Sequence, residues 1–211
     1  MPAGPASPRR RAARTTSRDD RDVREAILTA TRRLLDERRF DELSVADILT
    51  AADVARGSFY FYFASKQEVL AELTRRAVAL GHEAAEPWLG DPTDPRDAVR
   101  HGIREGARLW RAEAPVLRAI VENWRSDPQL TDLWLELMGS FTAATAERIA
   151  ADQPADPSVD TAALAATLTW LGERVYYLAA IGVEPFTDEE RLVDVLTHVW
   201  TSTLPRPSAP E

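Results

Sequence analysis

The chain predicts an all-α fold of about nine helices, with a small N-terminal domain followed by a larger C-terminal one. Three observations lead there. Residues suited to a core recur at three- and four-residue spacing in segment after segment, as in Val23, Ile27, Leu28, Thr31, Leu34 and Leu35. Helix-opening signals precede such segments: Ser44 with Asp47, Ser65 with Glu68, Asp94 before Pro95, Asp127 before Pro128, and Thr187 with Glu190. No strand-like alternation and no internal repeat appears.

With 211 residues and 45% hydrophobic content, the chain can build one large core or two smaller ones. It has no cysteine, which removes disulfides and thiolate metal sites and fits a cytoplasmic protein. The net charge of −8 is unevenly spread. Residues 1 to 80 carry 15 basic and 12 acidic side chains, and the remainder 11 and 22. The basic excess therefore lies at the N-terminal end, where nucleic acid is a permitted partner.

Residues 1–19 are rich in Pro, Ala, Ser and Arg and lack an apolar signal core, so they read as a disordered basic arm, either solvated or in contact with phosphates. A first helix over about Asp20 to Arg39 supplies the core stripe, closed by Phe40 and Leu43. Ser44 then caps a short helix carrying Val45, Ile48, Leu49 and Ala52. Asp53 follows where the chain must turn sharply, a place suited to a side chain that tolerates left-handed backbone, and Val54 is the expected buried plug. A second short helix runs from Arg56 through Tyr62, too short to stand without neighbours.

Two short helices joined by a tight turn make a helix-turn-helix, whose second member enters the DNA major groove by its N-terminal residues. That arrangement assigns Arg56, Gly57 and Ser58 to the groove. Lys66, the one lysine of the chain, lies in the first turn of the next helix and is placed to meet a phosphate. Tyr60 and Tyr62 either add hydroxyl contacts to the DNA backbone or pack the small domain, and Ser44 joins the candidate DNA-binding set.

These residues resemble the TetR family of transcriptional regulators. The resemblance is carried by Ala52-Asp53-Val54, Gly57, Phe59-Tyr60, Tyr62-Phe63 and Ser65-Lys66. Phe59 to Phe63 followed by Ala64-Ser65-Lys66 is most similar to the EthR-type members, as are Gly172-Glu173-Arg174 and Thr197-His198-Val199-Trp200. Asp53 stands where the family usually has glycine, and Ala55 where it usually has a serine cap. The resemblance implies a homodimeric repressor that binds a palindromic DNA operator and pairs through its last two helices.

The helix opened by Ser65 carries Val69, Leu70, Leu73 and Ala77 and is expected to link the two parts, to about Glu86. The expected division is thus an arm over 1–19, a helix-turn-helix domain over 20–66, a linking helix over 67–86, a ligand-binding and dimerisation domain over 87–205, and a tail over 206–211. Within the larger domain, helices are expected at about Pro95 to Arg111, Pro115 to Arg125, Pro128 to Ala151, Ser158 to Ile181, and from Thr187 onward. A proline-marked loop covers Gln153 to Pro157, and Gly182 stops the helix before it. Glu173 and Arg174 interrupt the most apolar of these helices, which argues against a membrane span.

Five of the six tryptophans fall in the C-terminal helices. They either fill the core or line a small-molecule cavity of apolar and aromatic walls with a few polar groups. The candidate lining is Trp110, Asn123, Trp124, Trp134, Phe141, Thr169, Trp170, Tyr176 and Trp200. The EthR resemblance favours a cavity for a small, largely apolar effector, with Trp110, Trp170 and Trp200 nearest the matching positions. Thr169 and Gly172 stand where that subgroup carries amides.

No Gly-rich phosphate loop, Gly-x-Ser-x-Gly elbow or Cys-His pair is present, and His82, His101 and His198 lack metal-ligand spacing. The expectation is a regulator with no enzymatic activity, no metal and no cofactor. A sensor or carrier without DNA affinity, and an activator of the same fold, are the alternatives.

Overall fold

The computed structural model describes residues 9–89, 94–152 and 159–203, which hold nine α-helices, one 3-10 turn and no strand. The all-α expectation is met. The chain divides into two compact units, Met1–Leu70 and Ala71–Glu211.

In the first unit, α1 (Arg9–Glu37) packs on α2 (Val45–Ala52) and α3 (Arg56–Tyr62). Helix α1 begins at Arg9 rather than near Asp20, so residues 9–19 of the expected disordered arm are helical. Their Arg- and Ala-rich composition favours a helix, and no proline or glycine interrupts the chain from Arg9 to Arg56. The arm expected over residues 1–8 lies outside the described residues. Ile27, Leu28, Thr31 and Leu35 on α1 meet Phe40, Leu43, Ile48, Phe59 and Phe63 in a buried core. Thr31 is tolerated there because its hydroxyl donates to the Ile27 carbonyl at 2.8 Å.

Helix α4 (Lys66–Leu89) starts in the first unit and continues into the second, ending three residues later than expected. The second unit adds α5 (Pro95–Ala112), α6 (Ala114–Asn123), a 3-10 turn at Trp124–Ser126, α7 (Pro128–Asp152), α8 (Thr161–Ala180) and α9 (Glu189–Thr203). Helix α7 lies along α8, and α5 along α9. Val99 and Ile103 of α5 pack with Val175 of α8 and with Leu192, Val193 and Leu196 of α9. Ile149 of α7 meets Ala165 and Leu168 of α8 in a second cluster.

The caps explain the boundaries. The Asp94 carboxylate accepts from the amides of Arg96 and Asp97, and Asp127 does the same for Gln129 and Leu130. Gly182, at φ 78°, ends α8 with Val183 N–H bonded to the Leu178 carbonyl. The expected cap of α9 is corrected by one residue. Asp188 accepts from the Arg191 amide, while the Thr187 hydroxyl donates to the Glu184 carboxylate instead. Residues 153–158, where a proline-marked loop is expected, lie outside the described residues.

Candidate DNA interface and ligand cavity

Helix α2 is held at both ends by side chains the sequence supplies for that purpose. Ser44 N–H donates to Asp47 Oδ2 at 2.8 Å, and the Asp47 amide donates back to Ser44 Oγ at 3.2 Å, closing a capping box. The Ser44 hydroxyl donates to the same carboxylate at 2.6 Å. These bonds, with Arg38 at 3.3 Å, hold the Asp47 carboxyl down at about 2. Asp53 takes the left-handed conformation the turn requires, φ 53° and ψ 47°, and the Val54 N–H reaches back to the Leu49 carbonyl. Val54 is half-buried rather than a fully buried plug.

Helix α3 has no side-chain cap, since Ala55 has no hydroxyl to offer, and its hold on the unit is apolar. Phe59 and Phe63, one turn apart, are buried. Arg56, Gly57, Tyr60 and Phe61 stand on the opposite, exposed side, with Ser58 and Tyr62 half-buried. The Arg56 guanidinium lies over the Tyr60 ring, 5.3 Å from its centre. A Cβ added to Gly57 would meet nothing within 4 Å, so the N-terminal turn of α3 presents open backbone.

Lys66 does not take its expected place. Its ammonium donates to the carbonyls of Phe40 at 2.9 Å, Asp41 at 3.4 Å and Leu43 at 2.5 Å, and it sits 4.7 Å from the centre of the Phe40 ring. All three donors are thereby engaged. Burial lowers its pKa, opposed by Asp41 and Asp47. Lys66 is thus a clasp on the chain between α1 and α2, its ammonium committed to backbone carbonyls where the sequence suggests a phosphate contact. Ser65 caps α4 by accepting from the Glu68 amide, but Glu68 reaches back to Ala64 N–H rather than to Ser65.

The second unit contains a cavity of about 180 Å³. Three helices line it with one stripe each, at the spacing of a single helical face. Helix α5 gives Val99, Gly102, Ile103, Gly106, Leu109 and Trp110; α7 gives Trp134, Leu137, Met138, Phe141, Ala144 and Thr145; α8 gives Thr169, Gly172, Glu173 and Tyr176. Val78, Leu117 and Trp200 complete the wall. Tyr176 donates its hydroxyl to the Ile103 carbonyl at 3.0 Å, and burial pushes its pKa above the usual tyrosine value. Trp134 is buried, and among the described residues its indole N–H has no partner. Glu173 is 5% exposed, with its pKa raised by burial and drawn back by Arg174.

Of the nine residues expected at the cavity, Trp110, Trp134, Phe141, Thr169, Tyr176 and Trp200 line it. Asn123, Trp124 and Trp170 do not, and each has a reason. The Asn123 amide is satisfied by the Ala119 carbonyl one turn back, at 2.9 Å. Trp124 begins the 3-10 turn, with Arg125 over its ring. Trp170 is one residue, about 100° around the helix, from the α8 stripe.

Two family models match the chain. "Bacterial regulatory proteins, tetR family" covers residues 27–73, and "Transcriptional regulator EthR, C-terminal domain" covers residues 99–204. The HTH-type transcriptional regulator EthR of Mycolicibacterium smegmatis is 34% identical over 205 residues, spanning 94% of this chain and 92% of EthR. The EthR of Mycobacterium tuberculosis is 32% identical over 202 residues, spanning 93% of each. The chain belongs to the TetR family, among its EthR-type regulators.

Solved TetR-like folds agree at low sequence identity. GusR of Salmonella enterica aligns with a TM-score of 0.67 at 18% identity, covering 86% of this chain and 95% of GusR. The fatty acid degradation regulator FadR of Bacillus halodurans gives 0.68 at 16%, covering 83% and 94%. These two speak for the fold alone. The chain is thus a TetR-family helix-turn-helix transcriptional regulator, and the proteins it matches by sequence are regulators rather than enzymes. Among the described residues no helix is long and apolar enough to cross a membrane.

Two further features of this EthR-type chain bear on the two sites. Phe61, 75% exposed, stands beside Tyr60 on the outer face of α3, edge-on to Tyr62 with ring centres 4.9 Å apart. Its position midway between the core residues Phe59 and Phe63 is what marks it as outward-facing. The second is Glu173 on the cavity wall, which the α8 stripe Thr169, Gly172, Glu173, Tyr176 marks by spacing.

Proposed function

We propose that this regulator is a repressor that binds a palindromic operator as a homodimer and leaves it when a small, largely apolar molecule fills the cavity of the second unit. The observation that carries the DNA part is the outer face of α3. Arg56 and Gly57 at its N-terminal end are exposed, with Ser58 half-buried beside them, while Phe59 and Phe63 anchor the opposite side. Arg56 is the candidate for a bidentate contact to guanine, and Tyr60, Tyr62 and Phe61 for backbone and thymine-methyl contacts. Ser44, whose hydroxyl is engaged in capping, positions α2 rather than reading bases.

Helices α8 and α9 are the proposed dimer surface. Val195 of α9 is 56% exposed, and Trp170 of α8 and Val199 of α9 are only half-buried. Ligand acts by favouring a dimer geometry in which the two α3 helices no longer match successive turns of DNA. Helix α4, which carries Lys66 at its start and Val78 on the cavity wall, is the proposed carrier of that change.

The test is electrophoretic mobility and footprinting with DNA upstream of the protein's own gene. The expected result is a two-fold symmetric footprint, with half-sites about one helical turn apart. Unshifted DNA at micromolar protein and low salt would overturn the reading. Sedimentation of the free protein as a monomer at the same concentration would overturn the dimer.

A further inference from the structure

We infer that the cavity ligand is an apolar amine, held by its ammonium group against Glu173. The inference rests on the proposed ligand-binding role of the cavity and narrows it to a chemical class. Glu173 sits on the cavity wall with 5% of its surface exposed. Among the described residues its one partner is Arg174 Nε at 3.8 Å, beyond hydrogen-bonding distance. The Arg174 side chain is 54% exposed and its guanidinium lies over the Tyr177 ring, so it leaves the carboxylate unsatisfied on the inner side.

The rest of the wall reinforces the sign. Among the described residues no lysine, arginine or histidine lines the cavity, and five aromatic residues do: Trp110, Trp134, Phe141, Tyr176 and Trp200. The faces of such rings attract cations, and most strongly away from water. The two polar neighbours on the wall whose hydroxyl bonds are defined are already committed, Thr169 to the Ala165 carbonyl and Tyr176 to that of Ile103. A buried carboxylate without a hydrogen bond is costly, and a bound ammonium group removes that cost.

The cavity volume of about 180 Å³ suits a single-ring molecule, since an apolar cavity of about 150 Å³ accepts benzene. The test uses the full chain with phenethylamine, phenethyl alcohol and phenylacetate, which share one ring and differ in the polar end. Binding is read by quenching of the wall tryptophans near neutral pH. Phenethylamine is expected to bind at least about tenfold more tightly than the alcohol, and phenylacetate most weakly. In E173Q the preference for the amine over the alcohol is expected to disappear.

Alcohol or acid binding as tightly as the amine would overturn the amine assignment and leave the cavity standing as an apolar site. So would an amine preference that survives in E173Q. Failure of all three probes to bind would overturn the ligand-binding reading along with it. The rank order in the unmodified protein decides the matter even where E173Q does not fold.

Discussion

The ammonium of Lys66 donates to the Phe40 carbonyl at 2.9 Å while resting 4.7 Å from the centre of the same residue's ring. One side chain at the start of α4 therefore holds the segment that joins α1 to α2, and it does so with bonds that a DNA phosphate would have to break. Lys66→Met keeps the length of the side chain and removes the donors. Loss of the charged hydrogen bonds is expected to destabilise the first unit by about 2 kcal/mol. Operator affinity, plotted against salt concentration, separates this from a phosphate contact. The slope should stay as in the parent, whereas a lost phosphate contact would reduce it by about one.

Gly57 gives a cleaner separation of folding from recognition. Its added Cβ meets nothing within 4 Å, so Gly57→Ala costs no packing and gains helix propensity, about 0.5–1 kcal/mol. The same methyl group would stand between α3 and the bases. The variant is expected to unfold at a higher temperature and to bind operator at least about tenfold more weakly. Unchanged operator affinity in a stabilised variant would remove α3 from the groove.

The helix-turn-helix was legible because each of its parts rests on a local rule. Ser44 and Asp47 cap, Asp53 turns, and Phe59 and Phe63 fall one turn apart on the core side. The clasp made by Lys66 is not legible, because its partners are backbone carbonyls more than twenty residues earlier, which no pattern in side-chain identity records. The cavity was half legible for a similar reason. Aromatic content pointed to the right helices, but Trp124 and Trp170 are as aromatic as Trp134 and Trp200, and only the register of each helix decides which ring faces the cavity. Asn123 is polar, but polarity says nothing about an amide already used by the carbonyl one turn back.

Helices α5 and α8 approach closely where Gly106 meets Tyr176. A Cβ on Gly106 would lie 2.8 Å from the Tyr176 hydroxyl and 3.1 Å from the ring carbon that bears it. Gly106→Ala is therefore expected to displace the ring, break its bond to Ile103 and cost about 1–3 kcal/mol. Tyr176→Phe alone loses one hydrogen bond, about 1 kcal/mol. The double variant should be less destabilised than the two changes summed, because removing the hydroxyl relieves the shortest contact. Simple additivity in urea unfolding would show that the two residues do not press on each other. Gly172→Ala, whose Cβ stays 3.7 Å from the same ring, is the control and should be close to neutral.

Glu173 makes stability depend on pH in a direction that can be worked out. Burial raises its pKa above the ordinary glutamate value of 4.5, with Arg174 opposing. The folded chain then holds the proton to a higher pH than the unfolded chain does. The stability contributed by this group is fully present below the unfolded value and is lost as pH rises through the folded one. At neutral pH the buried charge is therefore a burden on the free protein, and Glu173→Gln is expected to raise the unfolding midpoint there. The difference between variant and parent should shrink steadily as the pH is lowered toward 4.5 and below, as the parent carboxyl takes up its proton. Thermal unfolding of both proteins across that range is the measurement. A gap that stays constant with pH, or one that widens in acid, would mean that the Glu173 carboxylate is already satisfied in the free protein.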